Sequence, residues 1–443
     1  MYKIRSFIRK KISGGQVSSI VKNISWLALD RILRLGIGLL LGVLIARYLG
    51  PEKFGKWSYA LALTSLLSAF ATLGLDNIII KDLLQCPEKR NEILGTTFLM
   101  RFAGGVVTIL TSTLIVLFTD TQDTELLICV AIISIGFIFQ SFDVIDSFFQ
   151  SKVQSRYVVI AKNGAFVFCA VLKSVALWRK ADFLVFITIG TFEIFLSALG
   201  LVYFYYSQTL TSIKEWYSNR TYLKKKLKEC WPLLLSGLVI MIYMRIDQIM
   251  LKQILGEKSV GIYSAAVRIS EVSYFLYTIL SASVYPALIK ARNNNNKEEY
   301  LLKVQRLFDY TVVIALATGL FFTISSNWVI NILFGPGFED AAAVLKINIW
   351  CGVFVALGVA SSQYLILEGL AKLSFYRSFA GALVNLLLNF VLIPIYGISG
   401  AALSTLIAQF TAAYIFDLFN KKTRQLFFMK TRSVFLISLL SKV

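Results

Sequence analysis

Histidine is absent from this chain of 443 residues, and cysteine and proline are scarce at five and six. Each shortage argues against a class of function. Acid–base chemistry near neutral pH most often relies on histidine, so a membrane-bound glycan polymerase, ligase or acyltransferase is not expected, nor any catalytic residue. Cys86, Cys129, Cys169, Cys230 and Cys351 are scattered without a C-x-x-C spacing, which leaves neither a disulfide framework nor a metal site to expect. No G-x-x-x-x-G-K-[ST] stretch occurs, so the chain has no ATP-hydrolysing loop of that type. Charged residues amount to 16%, where soluble domains have about 25%.

Apolar residues take the space instead. They make up 57% of the chain, with 34 Phe and 20 Tyr, and the mean hydropathy is +0.70. A helix of about 20 apolar residues crosses a hydrocarbon core of about 30 Å. Spans of that kind fall near 24–47, 55–75, 92–118, 125–149, 156–177, 183–206, 231–252, 259–286, 304–326, 343–367, 376–395 and 398–419. The expected fold class is all-α: a polytopic membrane protein of about twelve transmembrane helices. Pro51, Pro87, Pro232, Pro286, Pro336 and Pro394 all fall at expected span ends or in loops, where a missing N–H costs least.

The net charge of +20 is an orientation signal, because basic residues concentrate in alternate loops. One set holds the start of the chain; Lys81, Lys89 and Arg90; Lys152, Arg156 and Lys162; and Lys214, Arg220, Lys224, Lys225, Lys226 and Lys228. It continues with Lys290, Arg292, Lys297, Lys303 and Arg306, then Lys372 and Arg377, then the tail after Asn420. The other set has only Arg47, Lys53, Lys56, Arg179, Lys180, Lys252 and Lys258, and its loops at 120–125, 334–340 and 394–400 have no basic residue. The positive-inside rule then puts both termini in the cytoplasm. The same charges favour anionic membrane lipid, and nucleic acid is not an expected partner. The basic start lacks a short apolar region with a cleavage site, so no removed signal peptide is expected, and 1–22 should lie along the membrane surface.

The two halves echo each other. Leu49, Gly50, Gly55, Trp57, Ser58 and Ala60 lead into the second span; Leu255, Gly256, Gly261, Tyr263, Ser264 and Ala266 lead into the eighth. Both read L-G-x4-G-x-[aromatic]-S-x-A, and Gly50 and Gly256 are 206 positions apart. A duplicated six-helix half explains this: six is even, so the halves share an orientation and form a parallel internal repeat. The motif suits a tight turn at glycine followed by close helix approach at Ser and Ala. The expected organisation is a basic segment 1–22, an N-terminal six-helix bundle 23–207, a basic linker 208–230, a C-terminal six-helix bundle 231–420 and a basic tail 421–443.

These stretches carry a family likeness. Arg47 to Pro51 with Phe54 and Gly55, Asp247 and Gln248 with Gly261 to Ala266, and Asn385, Asn389 and Pro394 with Gly397 to Ala402 resemble the polysaccharide-exporting branch of the multidrug/oligosaccharidyl-lipid/polysaccharide exporters. The likeness runs over about residues 20–420 and looks most like an O-antigen or repeat-unit flippase. It implies a V-shaped pair of six-helix bundles in a bacterial cytoplasmic membrane, working by alternating access. It also implies an undecaprenyl-pyrophosphate-linked oligosaccharide as substrate, moved outward for lipopolysaccharide O-antigen or capsule, with assembly partners such as a polymerase. No catalytic residue and no resident cofactor follow from it.

Charges inside spans cost about 2.5–3.5 kcal/mol each on insertion scales, so each needs a partner or a watery cavity. Asp30, Arg31 and Arg34 lie in span 1, Arg101 in span 3, Asp143 and Asp146 in span 4, Glu193 in span 6, Arg245 and Asp247 in span 7, and Arg268 and Glu271 in span 8. Lys173 and Lys346 sit near span ends, where snorkelling accounts for them. Gln140, Asp143, Asp146 and Gln150 share one helical face. Asp30 with Arg34, and Arg268 with Glu271, are spaced to pair.

Arginine's planar fork suits a pyrophosphate, which makes Arg34, Arg268, Arg101 and Arg245 the substrate-binding candidates. Gln140, Asp143, Tyr243, Asn385 and Asn389 would meet the sugar. Asp30, Asp143, Glu193, Asp247 and Glu271 are candidates to carry a coupling proton or Na+, and equally to serve as counter-ions. The alternatives are a cation-coupled multidrug exporter of the same superfamily, whose cavity should be acid-dominated, and a flippase for the lipid-linked peptidoglycan precursor.

Overall fold

A computed structural model describes residues 2–294 and 296–440. The side chains of the basic segment 1–22 lie outside the described residues, so its expected place along the membrane surface is not addressed. The described chain is all-helical. Its helices are α1 (Tyr2–Thr72), α2 (Asp76–Gln85), α3 (Arg90–Thr119), α4 (Thr124–Gln140), α5 (Val144–Ser151), α6 (Ser155–Trp178), α7 (Phe183–Thr209) and α8 (Arg220–Leu255). They continue with α9 (Glu257–Asn293), α10 (Lys297–Leu333), α11 (Ala341–Asn348), α12 (Cys351–Leu367), α13 (Ala371–Phe410), α14 (Phe416–Phe419), α15 (Arg424–Val434) and α16 (Ile437–Leu440).

Ten segments of the described chain are long and apolar enough to cross a membrane. Two of them, Leu33–Gln85 and Lys372–Phe419, run 53 and 48 residues, more than twice the about 20 that one crossing needs. Each is broken by a glycine off helical geometry, Gly50 (φ 73°, ψ 172°) in α1 and Gly397 (φ 59°, ψ −136°) in α13. Each therefore crosses twice, and the described residues hold twelve spans. The protein is a multi-pass membrane protein of the all-α class.

Contacts divide it into two compact units: unit 1, Met1–Gly42 with Leu63–Leu238, and unit 2, Val43–Ala62 with Val239–Val443. Unit 1 packs its apolar core around Ile79, Leu94, Val144, Phe149 and Tyr205. The segment 208–230 is held to it. The Arg90 guanidinium donates to Thr211 Oγ1 (2.8 Å), Asn219 Nδ2 to Glu92 Oε1 (2.8 Å) and Tyr222 to Asp82. The buried Lys226 reaches Asp82 at 2.6 Å and Glu229 at 2.7 Å.

Unit 2 contains both copies of the repeated motif. Gly256 (φ 84°, ψ 179°) opens α9 with nearly the conformation of Gly50, one that L side chains rarely adopt. Five residues on, Gly55 and Gly261 make the close approach. A Cβ on Gly55 would lie 1.8 Å from the Glu257 carbonyl oxygen, and one on Gly261 would lie 1.9 Å from that of Pro51. Pro51 and Glu257 are equivalent positions of the motif, so each copy of the motif uses its second glycine to seat the first turn of the other. Ala60 and Ala266 are fully buried beside them.

Pro232 and Pro286 depart from expectation, lying inside α8 and α9 rather than at their ends. Both helices run on past the apolar stretch, so a proline at a span boundary is not at a helix boundary. Span 4 is not one helix: α4 stops at Gln140, a tight turn covers Ser141–Asp143, and α5 follows.

At the other end of unit 2 the last span widens into a π turn, Thr411–Ile415. Arg377 Nε donates to the carbonyl of Ala412 (3.0 Å), and Lys430 Nζ to that of Ala413 (2.6 Å). Lys430, on α15 and outside the spans, also meets Asp417 at 2.6 Å, with Arg377 3.8 Å from the same carboxylate. Burial, with Arg377 alongside, pushes the Lys430 ammonium down to about 7. Leu426 of α15 joins the core of Leu307, Phe308, Leu357 and Leu365, so this part of the basic tail is docked on unit 2.

Candidate functional site

Unit 1 gathers most of its intramembrane charges into two sets that line one cavity. Arg34 Nε donates to Asp30 Oδ1 at 2.9 Å, one helical turn away, so this pair forms as the i,i+4 spacing requires. The same guanidinium lies 3.7 Å from Glu193 on α7 and 5.1 Å from the Phe166 ring on α6. Glu193 uses its other oxygen on Lys173 of α6, at 3.2 Å. Beside these, Lys162 of α6 bridges Asp143 (2.9 Å) and Asp146 (2.7 Å), and Gln150 Nε2 donates to Asp146 (2.8 Å).

The polar face Gln140–Asp143–Asp146–Gln150 is therefore real, although the helix under it is broken. A cavity of about 160 Å³ opens among Arg34, Gln140, Asp143, Lys162 and Glu193. The buried Gln140 Oε1 has no hydrogen-bond partner. Three cations, Arg34, Lys162 and Lys173, face four carboxylates, Asp30, Asp143, Asp146 and Glu193, so the two sets together hold one more carboxylate than cation.

Arg101 stands apart from both sets. Its buried guanidinium pairs with Asp76 at the start of α2, and its Nε has no hydrogen-bond partner.

Unit 2 holds the remaining candidates. Glu271 of α9 pairs with Arg245 of α8 at 3.7 Å. The expected partnership of Arg268 with Glu271 is corrected: among the described residues Arg268 makes no ion pair, and its guanidinium lies 5.8 Å from the Phe54 ring centroid. The spacing placed both side chains on one face of α9, but Arg245 approaches Glu271 from a second helix.

Asp247 is buried and surrounded by neutral donors. Tyr263 Oη (2.7 Å) and Thr405 Oγ1 (2.5 Å) donate to Oδ2, and Asn389 Nδ2 (2.6 Å) to Oδ1. Asn389 Nδ2 also reaches Asn385 Oδ1 at 3.2 Å. Asn389 Oδ1 and Asn385 Nδ2 are buried with no hydrogen-bond partner, as is Tyr243 Oη. Among the described residues no cation lies within ion-pair distance of Asp247. No cluster of three or more Cys, Asp or Glu suited to a metal ion occurs among them.

Two residues of unit 1 take places that their sequence setting does not suggest. Lys162, expected in a basic loop, lies inside the span at 156–177, and that position is the available signal. Lys173 was assigned to snorkelling; no local pattern identifies Glu193, twenty residues on, as its partner.

Comparison with known proteins accords with this architecture. The family described as "Polysaccharide biosynthesis protein" matches residues 20–292, and the family MatE matches 232–391. The chain is 21% identical over 417 residues to the capsular polysaccharide biosynthesis protein CapF of Staphylococcus aureus, covering 91% of this chain and 100% of that one. Its fold is similar to that of the lipid II flippase MurJ in an inward closed conformation, with TM-score 0.72 and 17% identity over 94% of this chain and 93% of that one. It is similar too to an inward-facing multidrug resistance MATE transporter, with TM-score 0.70 and 15% identity over 95% and 99%.

Proposed function

Because this chain belongs to the polysaccharide biosynthesis protein family and is flippase-like within it, we propose that it flips lipid-linked oligosaccharide. The carrier is undecaprenyl pyrophosphate, and the load a saccharide repeat unit for capsule or O-antigen. Movement runs from the cytoplasmic leaflet of the inner membrane to the outer one by alternating access, with both termini cytoplasmic. The alternation of basic and bare loops supports that orientation.

The observation that carries the substrate reading is the state of the four candidate arginines. Arg34, Arg101 and Arg245 each lie within ion-pair distance of a carboxylate, whereas Arg268 makes no ion pair among the described residues and feels Glu271 only at longer range. A pyrophosphate supplies the close counter-charge that the half-buried Arg268 guanidinium lacks. The unit 1 cavity, where charge is largely compensated and donors and acceptors mix, suits the neutral sugar.

Asp247 is the matching choice for energy coupling. Asp30, Asp143, Glu193 and Glu271 are each ion-paired. Asp247 has only neutral donors, with an orphaned carbonyl oxygen of Asn389 nearby. A carboxylate oxygen, an amide oxygen and the Thr405 hydroxyl are ligands a Na+ ion accepts, and the same carboxylate can instead hold a proton.

The excess carboxylate of unit 1 and the MatE match favour one rival, a cation-coupled multidrug exporter. Deletion of the gene separates the two readings. Lipid-linked oligosaccharide is extracted and its sidedness read with a membrane-impermeant glycan probe. Complete repeat units confined to the cytoplasmic face are the expected result; units that reach the outer face unhindered overturn the proposal in favour of the exporter.

A further inference from the structure

We propose that unit 2 carries a binding site for an anionic phospholipid, with the phosphate in a polar cavity and an acyl chain along an adjoining apolar groove. The cavity, about 200 Å³, lies where the ends of α9, α10 and α12 meet α15 and is lined by Arg292, Lys297, Tyr300, Tyr364, Glu368 and Gln425 among others. One ordered water needs about 10–15 Å³, so the space holds a group of several heavy atoms.

Its polar lining is dominated by donors. Arg292 Nε donates to Glu368 Oε1 at 3.0 Å, which leaves the rest of the guanidinium fork available. Lys297, exposed at the first position of α10, makes no ion pair among the described residues. Tyr300 is 5% exposed, and its ring stacks on Tyr364 at 5.9 Å and 16°. The buried Tyr300 hydroxyl has Glu368 as a neighbour, acting through charge and a loose hydrogen bond, but makes no hydrogen bond of ordinary geometry. A fork, an ammonium and a phenol with only a loose partner match the acceptor oxygens of a phosphate. A cationic ligand would have one carboxylate, Glu368, and Arg292 already holds it.

The second observation identifies the source of the phosphate. A groove of about 560 Å³ runs past Leu301, Leu302, Met429 and Ile437, and shares Leu301 and Gln425 with the polar cavity. Leu302 and Ile437 are 44% and 50% exposed. Along the same tail, Phe428 and Phe435 are exposed next to Lys421, Lys422, Arg424 and Arg432, the arrangement of a segment lying in a membrane interface. A soluble phosphate ester would fill the cavity and leave the groove bare; a phospholipid fills both. The loops concerned are the basic ones, to which anionic headgroups are drawn. None of these residues belongs to the candidate transport site, so the two readings stand or fall separately.

The test uses the purified full chain in neutral detergent. Its thermal midpoint is followed against phosphatidylglycerol, phosphatidylcholine of the same chains, and glycerol 3-phosphate. Phosphatidylglycerol should raise the midpoint saturably, the other two far less. Tyr300→Phe with Lys297→Gln removes an exposed ammonium and a hydroxyl that makes no hydrogen bond of ordinary geometry. It should leave the lipid-free midpoint in place and weaken phosphatidylglycerol roughly tenfold. If the lipid-free midpoint falls, Leu302→Gln on the exposed groove wall carries the test, with the same loss expected. An unchanged response in the variants overturns the site, and an equal response to phosphatidylcholine overturns recognition of charge. A full response to glycerol 3-phosphate overturns the lipid in favour of a soluble ester.

Discussion

The two units treat intramembrane charge differently. In unit 1 every candidate charge has an opposite neighbour: Arg34 lies between Asp30 and Glu193, Lys162 between Asp143 and Asp146, and Arg101 against Asp76. Unit 2 pairs Arg245 with Glu271 and Arg377 and Lys430 with Asp417, but leaves two candidates without an ion pair among the described residues, Arg268 and Asp247. Paired charges hold helices together and resist exchange, since breaking one pair strands the other member in a poor solvent. A charge satisfied by neutral dipoles can gain or lose a counter-ion without tearing a pair apart. On that argument unit 1 is the rigid polar wall, and unit 2 holds the groups that change partners.

The sharpest way to break this contrast is at Asp247. Asp247→Ala should abolish export and destabilise the protein, because Tyr263, Thr405 and Asn389 lose a shared acceptor at about 1–3 kcal/mol for each donor left buried. Asp247→Asn keeps an acceptor and should retain most of the stability while still losing export. Surface glycan and the thermal midpoint of the two variants provide the check.

Next come the arginines. Both Arg34→Ala and Arg268→Ala should lose export with the protein still inserted. Only Arg34→Ala should also lower stability, by about 1 kcal/mol, since it strands Asp30 and leaves Glu193 with Lys173 alone. Arg34→Lys should recover the stability, and Arg268→Lys should recover little export, because an ammonium lacks the fork. Normal surface glycan from both alanine variants would remove arginine from the transport mechanism.

A smaller effect is expected at Lys430, docked on the buried Asp417. Lys430 holds its proton less well when docked, at about 7, than in an unfolded chain, at about 10.4. Between those values the docked state binds fewer protons, so docking strengthens as pH rises through that window and is weakest below it. The midpoint of the wild type, taken relative to Lys430→Met, should therefore climb from pH 6.5 to 9. The smallest effect belongs to Lys224→Ala, an exposed residue that should leave export and stability unchanged. Lys226→Ala, two positions on, uncouples Asp82 from Glu229 and should lower the midpoint measurably.

Legibility from sequence followed the range of the interaction. Gly50 and Gly256 could be read as turns because φ near +80° is a local property that favours glycine. Their partners Gly55 and Gly261 could be read as close-packing positions, but not that each copy of the motif seats the other. Asp30 and Arg34 pair because they are one turn apart on one helix. Arg268 and Glu271 have spacing of the same kind and do not pair, because Arg245 on α8 reaches the glutamate instead. Arg377, expected with a basic loop, is buried against a π turn that no periodicity marks.

By itself the sequence determined the twelve spans, the alternation of basic loops and the duplicated motif. Each depends on composition within about twenty residues or on a repeat visible along the chain. Only the tertiary structure decided which charges are compensated, which stand alone, and where a polar cavity meets an apolar groove. Those outcomes depend on the rotation and depth of helices far apart in sequence. A turn of one helix about its axis exchanges one ionic neighbour for another without altering the hydropathy of either segment.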